Sequence, residues 1–244
     1  MRYLPLLLLA SSAFAQPAPD SEAAKLQTEV ERARRTLQDW PNLARYREDN
    51  RKLLQEGQVK NRVVFMGDSI TDAWGRRGGK FFPGEPYVNR GIGGQTTPQM
   101  LIRFRPDVID LKPKVVVILA GTNDVAGNTG PMSLQEIEGN LTSMAELAKA
   151  NGIRVVLSSV MPVCDYHRPQ TARRPPAQIL ELNRWIKQYA AQNKHVYLDY
   201  HTPMQDDKGM LKQELTADGL HPNDAGYAVM EPLAAKAVAE ALRK

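Results

Sequence analysis

Cysteine is nearly absent: Cys164 is the only one in 244 residues. No intramolecular disulfide is therefore possible, and the fold must be held by packing. Cys164 itself reads as a small buried residue. Histidine is scarce as well, with four in all, and no Cys/His/Asp cluster has the spacing of a metal site. Basic residues exceed acidic ones only enough to give a formal charge of +5. They form no block and interleave with no aromatics, so nucleic acid is not an expected partner. Beyond the first residues no segment approaches the ~20 apolar residues that a membrane-spanning helix needs. Internal repeats and low-complexity tracts are absent too.

What is present begins with a patterned leader. Met1 to Ala15 has a positive start at Arg2, a short apolar centre and small residues at Ala13 and Ala15. That is the pattern of a secretory signal peptide cleaved after Ala15, and it places the mature chain in the periplasm or outside the cell. A Pro/Ala linker follows over residues 16–20. From Ser21 to about Gln55 the chain is rich in Ala, Leu, Glu, Lys and Arg, which favours helix. Trp40-Pro41 should break that helix in two. Residues 16–57 are accordingly assigned to a linker and N-terminal helical arm, and residues 58–244 to one domain with a sizeable core.

The domain alternates two periodicities. Strands are expected at Arg62–Met66, Tyr87–Gly91, Lys114–Ala120, Ile153–Val160 and His195–Asp199; the third and fourth are continuous apolar runs, the mark of burial on both faces. Helices are expected from Thr97 to Phe104, Ser133 to Ala150, Pro175 to Gln192 and Asn223 to Leu242. Alternation of this kind implies an α/β fold with a parallel sheet covered on both sides.

Four stretches carry chemistry. In Gly67-Asp-Ser-Ile-Thr-Asp72 a serine arrives at a strand-to-helix turn, where open α/β sheets place their ligands. The same letters also fit a capping box, with Ser69 capping a helix and Asp72 reciprocating. In Asn89-Arg-Gly-Ile-Gly-Gly-Gln-Thr96 three glycines bring backbone amides close to a ligand, or simply make a turn. The spacing lacks the third glycine of a dinucleotide fingerprint and follows the second strand. In Ala120-Gly-Thr-Asn-Asp124 an amide side chain can donate to developing negative charge; Asp124 reads as an Asx-turn residue. Before the last helix, Asp218 stands three residues ahead of His221, a base with an acid to orient it. His167, His195 and His201 read as structural or surface residues, with His167 and His201 possible at the rim.

Each stretch alone is weak, but all fall at one edge of one sheet, in the chain order Ser69, Gly94, Asn123, Asp218, His221. The chain thereby resembles the SGNH hydrolase superfamily, the GDSL esterases and lipases, over about Arg62 to the C-terminus. Ile70 replaces the leucine of the GDSL block. The resemblance implies a three-layer α/β/α flavodoxin-like domain with five parallel strands in order 2-1-3-4-5. It also implies ester hydrolysis through an acyl-enzyme: Ser69 as nucleophile, His221 as base, Asp218 as its orienting acid, and Ser69, Gly94 and Asn123 around the oxyanion. No metal or organic cofactor is required.

The chain is most similar to secreted bacterial members related to platelet-activating-factor acetylhydrolase and carbohydrate acetylesterases. The expected substrate is a short acyl ester, such as acetyl on a carbohydrate. A lipid or lysophospholipid ester is the alternative, and a carbohydrate-binding protein without turnover the rival class. Trp74, Phe81 and Phe82 either wall the acyl pocket or belong to the core. Tyr166 and His167, in the loop from Pro162 to Pro176, are candidates for substrate contact. Arg103 and Arg105 read as a solvated helix face.

Overall fold

A computed structural model describes residues 22–243, so the expected signal peptide and the linker lie outside the described residues. The chain divides into two compact units between Trp40 and Pro41. The first contains helix α1 (Glu22–Gln38), on which Leu26, Val30 and Leu37 are exposed. The helical break at Trp40-Pro41 therefore falls where the composition placed it.

The second unit starts at Pro41, earlier than the expected boundary at residue 58. The reason is polar anchoring of helix α2 (Arg47–Gln55) and the turn before it. Asn50 donates to Asp107 Oδ1 at 2.7 Å and accepts from Arg90 Nε at 2.9 Å. Tyr46 donates its hydroxyl to the Gly91 carbonyl, and the Arg90 guanidinium lies over its ring. A composition that favours helix says nothing about such contacts.

Five strands follow: β1 (Val63–Gly67), β2 (Tyr87–Gly91), β3 (Val115–Leu119), β4 (Arg154–Ser158) and β5 (Val196–Leu198). They form one all-parallel sheet in the order β2-β1-β3-β4-β5. β1 and β3 are buried throughout, and alternate side chains enter opposite cores. Val64, Met66, Val116 and Ile118 face a cluster closed by α4 (Thr97–Asp107), α6 (Leu134–Ala150) and α7 (Pro176–Gln192). Val63, Phe65, Val115 and Val117 face a second cluster, closed mainly by α9 (Asp224–Arg243) through Tyr227, Met230, Ala234 and Val238. The result is the three-layer α/β/α sandwich.

The helix signals act as read. Ser133 and Glu136 make a reciprocal capping box at the start of α6. Helix α4 runs past Phe104 to Asp107 with Pro106 inside it. Three short helices escape the periodicity: α3 (Ser69–Ala73), α5 (Thr122–Val125) and α8 (His201–Met204). Each directly follows the carboxyl end of a strand and is too short to show a period. Two of the three carry motif residues. Among the described residues no helix is long and apolar enough to cross a membrane.

Candidate active site

The turn after β1 is set by packing. A side chain on Gly67 would sit 2.1 Å from Thr71 Oγ1, so α3 can fold back over the strand end only above a glycine. Gly91 is required likewise, since a Cβ there would lie 2.1 Å from the Asp72 backbone nitrogen. Asp68, and not Ser69, caps α3: its Oδ1 accepts from the Ile70 N–H at 2.9 Å. The capping-box reading of Ser69 is thus corrected, and its half-buried hydroxyl is left for another partner. That partner is His221. Ser69 Oγ lies 2.9 Å from His221 Nε2, and His221 Nδ1 lies 2.6 Å from Asp218 Oδ2.

The Asp218–His221 turn is held by its own backbone. Asp218 Oδ1 accepts from the N–H groups of Leu220 at 3.0 Å and His221 at 2.8 Å. Gly219 adopts a φ of +86°, and a Cβ there would meet the Cys164 carbonyl at 2.2 Å. Partial burial works against the charge of Asp218, but the hydrogen bonds from the His221 ring and from the two backbone amides outweigh it. They bring the carboxyl down to about 2. Asp218 is therefore an anion at any physiological pH, and a negative partner at Nδ1 keeps the Nδ1–H tautomer and leaves Nε2 to accept.

Asn123, in α5, ties the remaining blocks together. Its Nδ2 donates to the Gln95 carbonyl at 3.0 Å and lies 3.5 Å from Asp68 Oδ2. Gln95 adjoins Gly94, which adopts a φ of +78° and is open to solvent. The Gly94 carbonyl accepts from Asn128 Nδ2 at 3.1 Å. Asp68 is fully enclosed, and burial pushes its carboxyl up to about 6. Asp124 bonds its own backbone, as expected, and reaches further. It spans to α4, accepting from Thr97 N at 2.8 Å and Thr97 Oγ1 at 2.6 Å.

Two site residues carried no role in the sequence. Arg103, expected on a solvated face, is wholly buried. It donates to Gln95 Oε1 at 2.5 Å, Asp107 Oδ2 at 3.0 Å and the Gly67 carbonyl at 3.0 Å. One guanidinium thus braces both the nucleophile turn and the glycine block. The signal was available in the spacing, because an acid four residues on is an ion-pair partner on a helix. Gln95 is the second, named within the glycine block but without a function. Arg105 does point outward, 3.8 Å from Asp110.

The aromatic candidates divide. Trp74 is 2% exposed and packs among Phe65, Phe81, Phe82 and Tyr227, with its indole N–H donating to the Lys80 carbonyl. Phe81 stacks edge-on against Phe65 in the same cluster. These rings pack with the core, and Trp74 and Phe81 also line a 580 Å³ recess with Tyr46, Asp72, Tyr87 and Asn89. His201 is buried at the start of α8 and does not reach a rim. Tyr166 and His167 are exposed on the loop after β4, with Tyr166 donating to Asp206 at 2.5 Å and His167 Nε2 lying 3.3 Å from the Gln213 carbonyl. Among the described residues no group of His, Cys, Asp and Glu is arranged to hold a metal ion.

A family model for GDSL-like lipases and acylhydrolases matches residues 65–229, which hold every one of these motif residues. The chain belongs to that family. A GDSL-like lipase from Bacteroides thetaiotaomicron has a solved structure with 45% identity and a TM-score of 0.76, covering 82% of this chain and 98% of its own. An acetylxylan esterase of Geobacillus stearothermophilus is 24% identical over 201 residues, 69% of this chain and 90% of that protein. An uncharacterized lipoprotein of Bacillus subtilis, YqeF, is 40% identical over 81 residues, and the match spans only 32% of this chain and 33% of that relative. The GDSL fold, with its parallel sheet in the order 2-1-3-4-5, is the one this acylhydrolase adopts.

Proposed function

We propose that the protein is a serine esterase that removes short acyl groups, chiefly acetyl, from a carbohydrate through an acyl-enzyme. The observation that carries this reading is the unbroken chain Ser69 Oγ to His221 Nε2 to Asp218, with links of 2.9 and 2.6 Å. A pure binding protein has no use for a nucleophile joined to a base.

The chemistry follows from the proton positions. His221 Nε2 takes the hydroxyl proton as Ser69 Oγ attacks the ester carbonyl carbon. Asp218 stabilises the imidazolium that forms. The Ser69 and Gly94 N–H groups and the Asn123 amide receive the carbonyl oxygen as it becomes an anion; such donors are worth ~100- to 1000-fold each. Collapse breaks the ester C–O bond, and the His221 proton leaves with the alcohol. Water then attacks the acyl-serine, His221 taking one of its protons, and collapse returns that proton to Ser69 while the carboxylic acid departs and loses its remaining proton to solvent.

One feature of the surface supports a sugar as the group that carries the acyl. On the loop after β4, Tyr166 forms one wall of a 460 Å³ recess with Asp206, Lys212 and Glu214. An aromatic ring beside carboxylates and an amine suits a hydroxyl-rich ring better than an alkyl chain. The acetylxylan esterase likeness points the same way. Export, with the mature chain beginning at Gln16, is part of the proposal; it rests on the Arg2–Ala15 leader and agrees with the lipoprotein name of the Bacillus relative.

The deciding experiment is hydrolysis of a 4-nitrophenyl ester series, acetate to dodecanoate, by wild type and Ser69→Ala. Turnover concentrated at acetate and butyrate and lost in the variant is the expected result. A maximum at long chains would replace the carbohydrate reading with a lipid one. Inactivity on every ester would favour the binding-protein class.

A further inference from the structure

The loop between β4 and α7 supplies a cation whose burial stability does not explain. Arg174 is 5% exposed. Its Nη1 donates to Gln170 Oε1 at 2.9 Å, its Nη2 lies 3.4 Å from Asn123 Oδ1, and its Nε is buried without a hydrogen-bond partner. Among the described residues no carboxylate comes within ion-pair distance of it; Asp68 and Asp218 act on it only from further off. Taking a guanidinium out of water without a partnered anion opposes folding. Burial accordingly makes Arg174 easier to deprotonate than an ordinary arginine.

Its position gives the reason for keeping it. An arginine side chain can only donate, and the Gln95 carbonyl on the other side of Asn123 can only accept. Between these two neighbours the Asn123 amide has one satisfied orientation, with Oδ1 toward Arg174 and Nδ2 toward Gln95, 3.0 Å away. The flipped amide would set oxygen against oxygen at Gln95 and donor against donor at Arg174. It would also present an acceptor where an oxyanion needs a donor. We infer that Arg174 is a positioning residue that locks the Asn123 amide with one N–H on the Gln95 carbonyl and the other, 3.5 Å from its nearest acceptor Asp68 Oδ2, turned to the reacting carbonyl. The nearby positive charge polarises that amide further. Gln170 completes the link, since its Nε2 donates to the Asp218 carbonyl at 3.1 Å while its Oε1 holds Arg174. The next residue back, Arg173, works on the glycine block in parallel: it donates to Asn128 Oδ1 at 3.1 Å, and Asn128 holds the Gly94 carbonyl.

This inference rests on the esterase reading of the site, and a double-mutant cycle separates the two. With 4-nitrophenyl acetate, Arg174→Met should lower kcat by ~10- to 30-fold, a fraction of what loss of a whole oxyanion donor costs, with KM changed less than about twofold. Arg174→Lys should recover part of the loss, because it keeps the charge but not the fork. In an Asn123→Ala background, Arg174→Met should cost less than about twofold more, since the group it acts through is gone. A cost that repeats undiminished in that background, a raised KM at constant kcat, or an unchanged kcat overturns the inference. Should Arg174→Met fail to fold by circular dichroism, Arg174→Lys carries the same cycle. Ester hydrolysis that survives Ser69→Ala would overturn the esterase reading itself. A dead Ser69→Ala with an additive Arg174 cycle would remove only the role of Arg174.

Discussion

Asp68, Gln95 and Asn123 are 1%, 3% and 2% exposed, whereas the side chains of Asp218 and His221 keep 29% and 39% of their surface open. One half of the site is thus continuous with the core. It is braced by Arg103 from beneath and shaped by glycines that admit no side chain. The other half is a surface turn before α9, held by two backbone amides and a carboxylate. The difference teaches where chemistry and stability can be separated. On the base side a substitution should remove chemistry alone; on the donor side it should disturb both.

The strongest way to break that contrast is at the two groups that exchange the proton. Ser69→Ala and His221→Ala should each lower kcat by about 10⁴-fold or more, as expected for residues that act as one unit. Their Tm should stay within a few degrees of wild type, because each deletes polar atoms that solvent reaches. A melting point that collapses in His221→Ala would show the base turn to be structural after all.

Asn123→Ala probes the opposite half. It should cost ~100- to 1000-fold in kcat, and it should also lose ~1–3 kcal/mol of stability by leaving the Gln95 carbonyl buried without its donor. The pairing of the two losses is what marks the donor side; chemical denaturation beside the ester assay reads both. A large kcat loss at unchanged stability would place Asn123 with the base half.

pH separates the halves with opposite sign. An unfolded aspartate ionises near 3.9, but Asp68 in the fold holds its proton up to about 6 because it is buried. Its favourable contribution is therefore full below pH ~4, drains away between ~4 and ~6, and leaves a net cost at neutral pH. Asp218 runs the other way. Its carboxyl is lowered to about 2 by the hydrogen bonds of its turn, so its contribution is present above pH ~4 and is lost as pH falls toward 2. Asp68→Asn keeps an oxygen to cap Ile70 but cannot ionise. It should stabilise the protein at pH 7 by on the order of 2–3 kcal/mol and give no such gain at pH 4. An equal gain at both values would mean that Asp68 ionises freely in the fold.

The same contrast accounts for what the sequence made legible. Periodicity reports burial, so the five strands, the long helices and the sheet order implied by the family likeness were readable. The base turn was readable as well, because Asp218 and His221 are neighbours in sequence and make their contacts locally. The donor half was legible only as motif letters. What Asn123, Gln95 and Arg103 do depends on partners 28, 8 and 36 residues away, and no local pattern encodes such pairings. The aromatic run was legible only in part. Trp74 and Phe81 follow the nucleophile closely and pack onto Phe65, and the recess they line is completed by Tyr46 and Arg90, an arrangement made by long-range packing.

The finest test of the contrast is Asn128, an exposed residue that nonetheless serves the donor half. Its Nδ2 holds the Gly94 carbonyl at 3.1 Å and its Oδ1 accepts from Arg173 at 3.1 Å. A hydrogen bond open to water contributes little to folding, since solvent replaces it, so Asn128→Ala should leave Tm unchanged. Yet the carbonyl it restrains belongs to the residue proposed to receive the oxyanion, and a donor that wanders by a fraction of an ångström loses part of its worth. A fall in kcat of about two- to fivefold at constant KM is the expected outcome. No change in kcat would mean that the φ of +78° at Gly94 and the Gln95 anchor are sufficient to hold the glycine block by themselves.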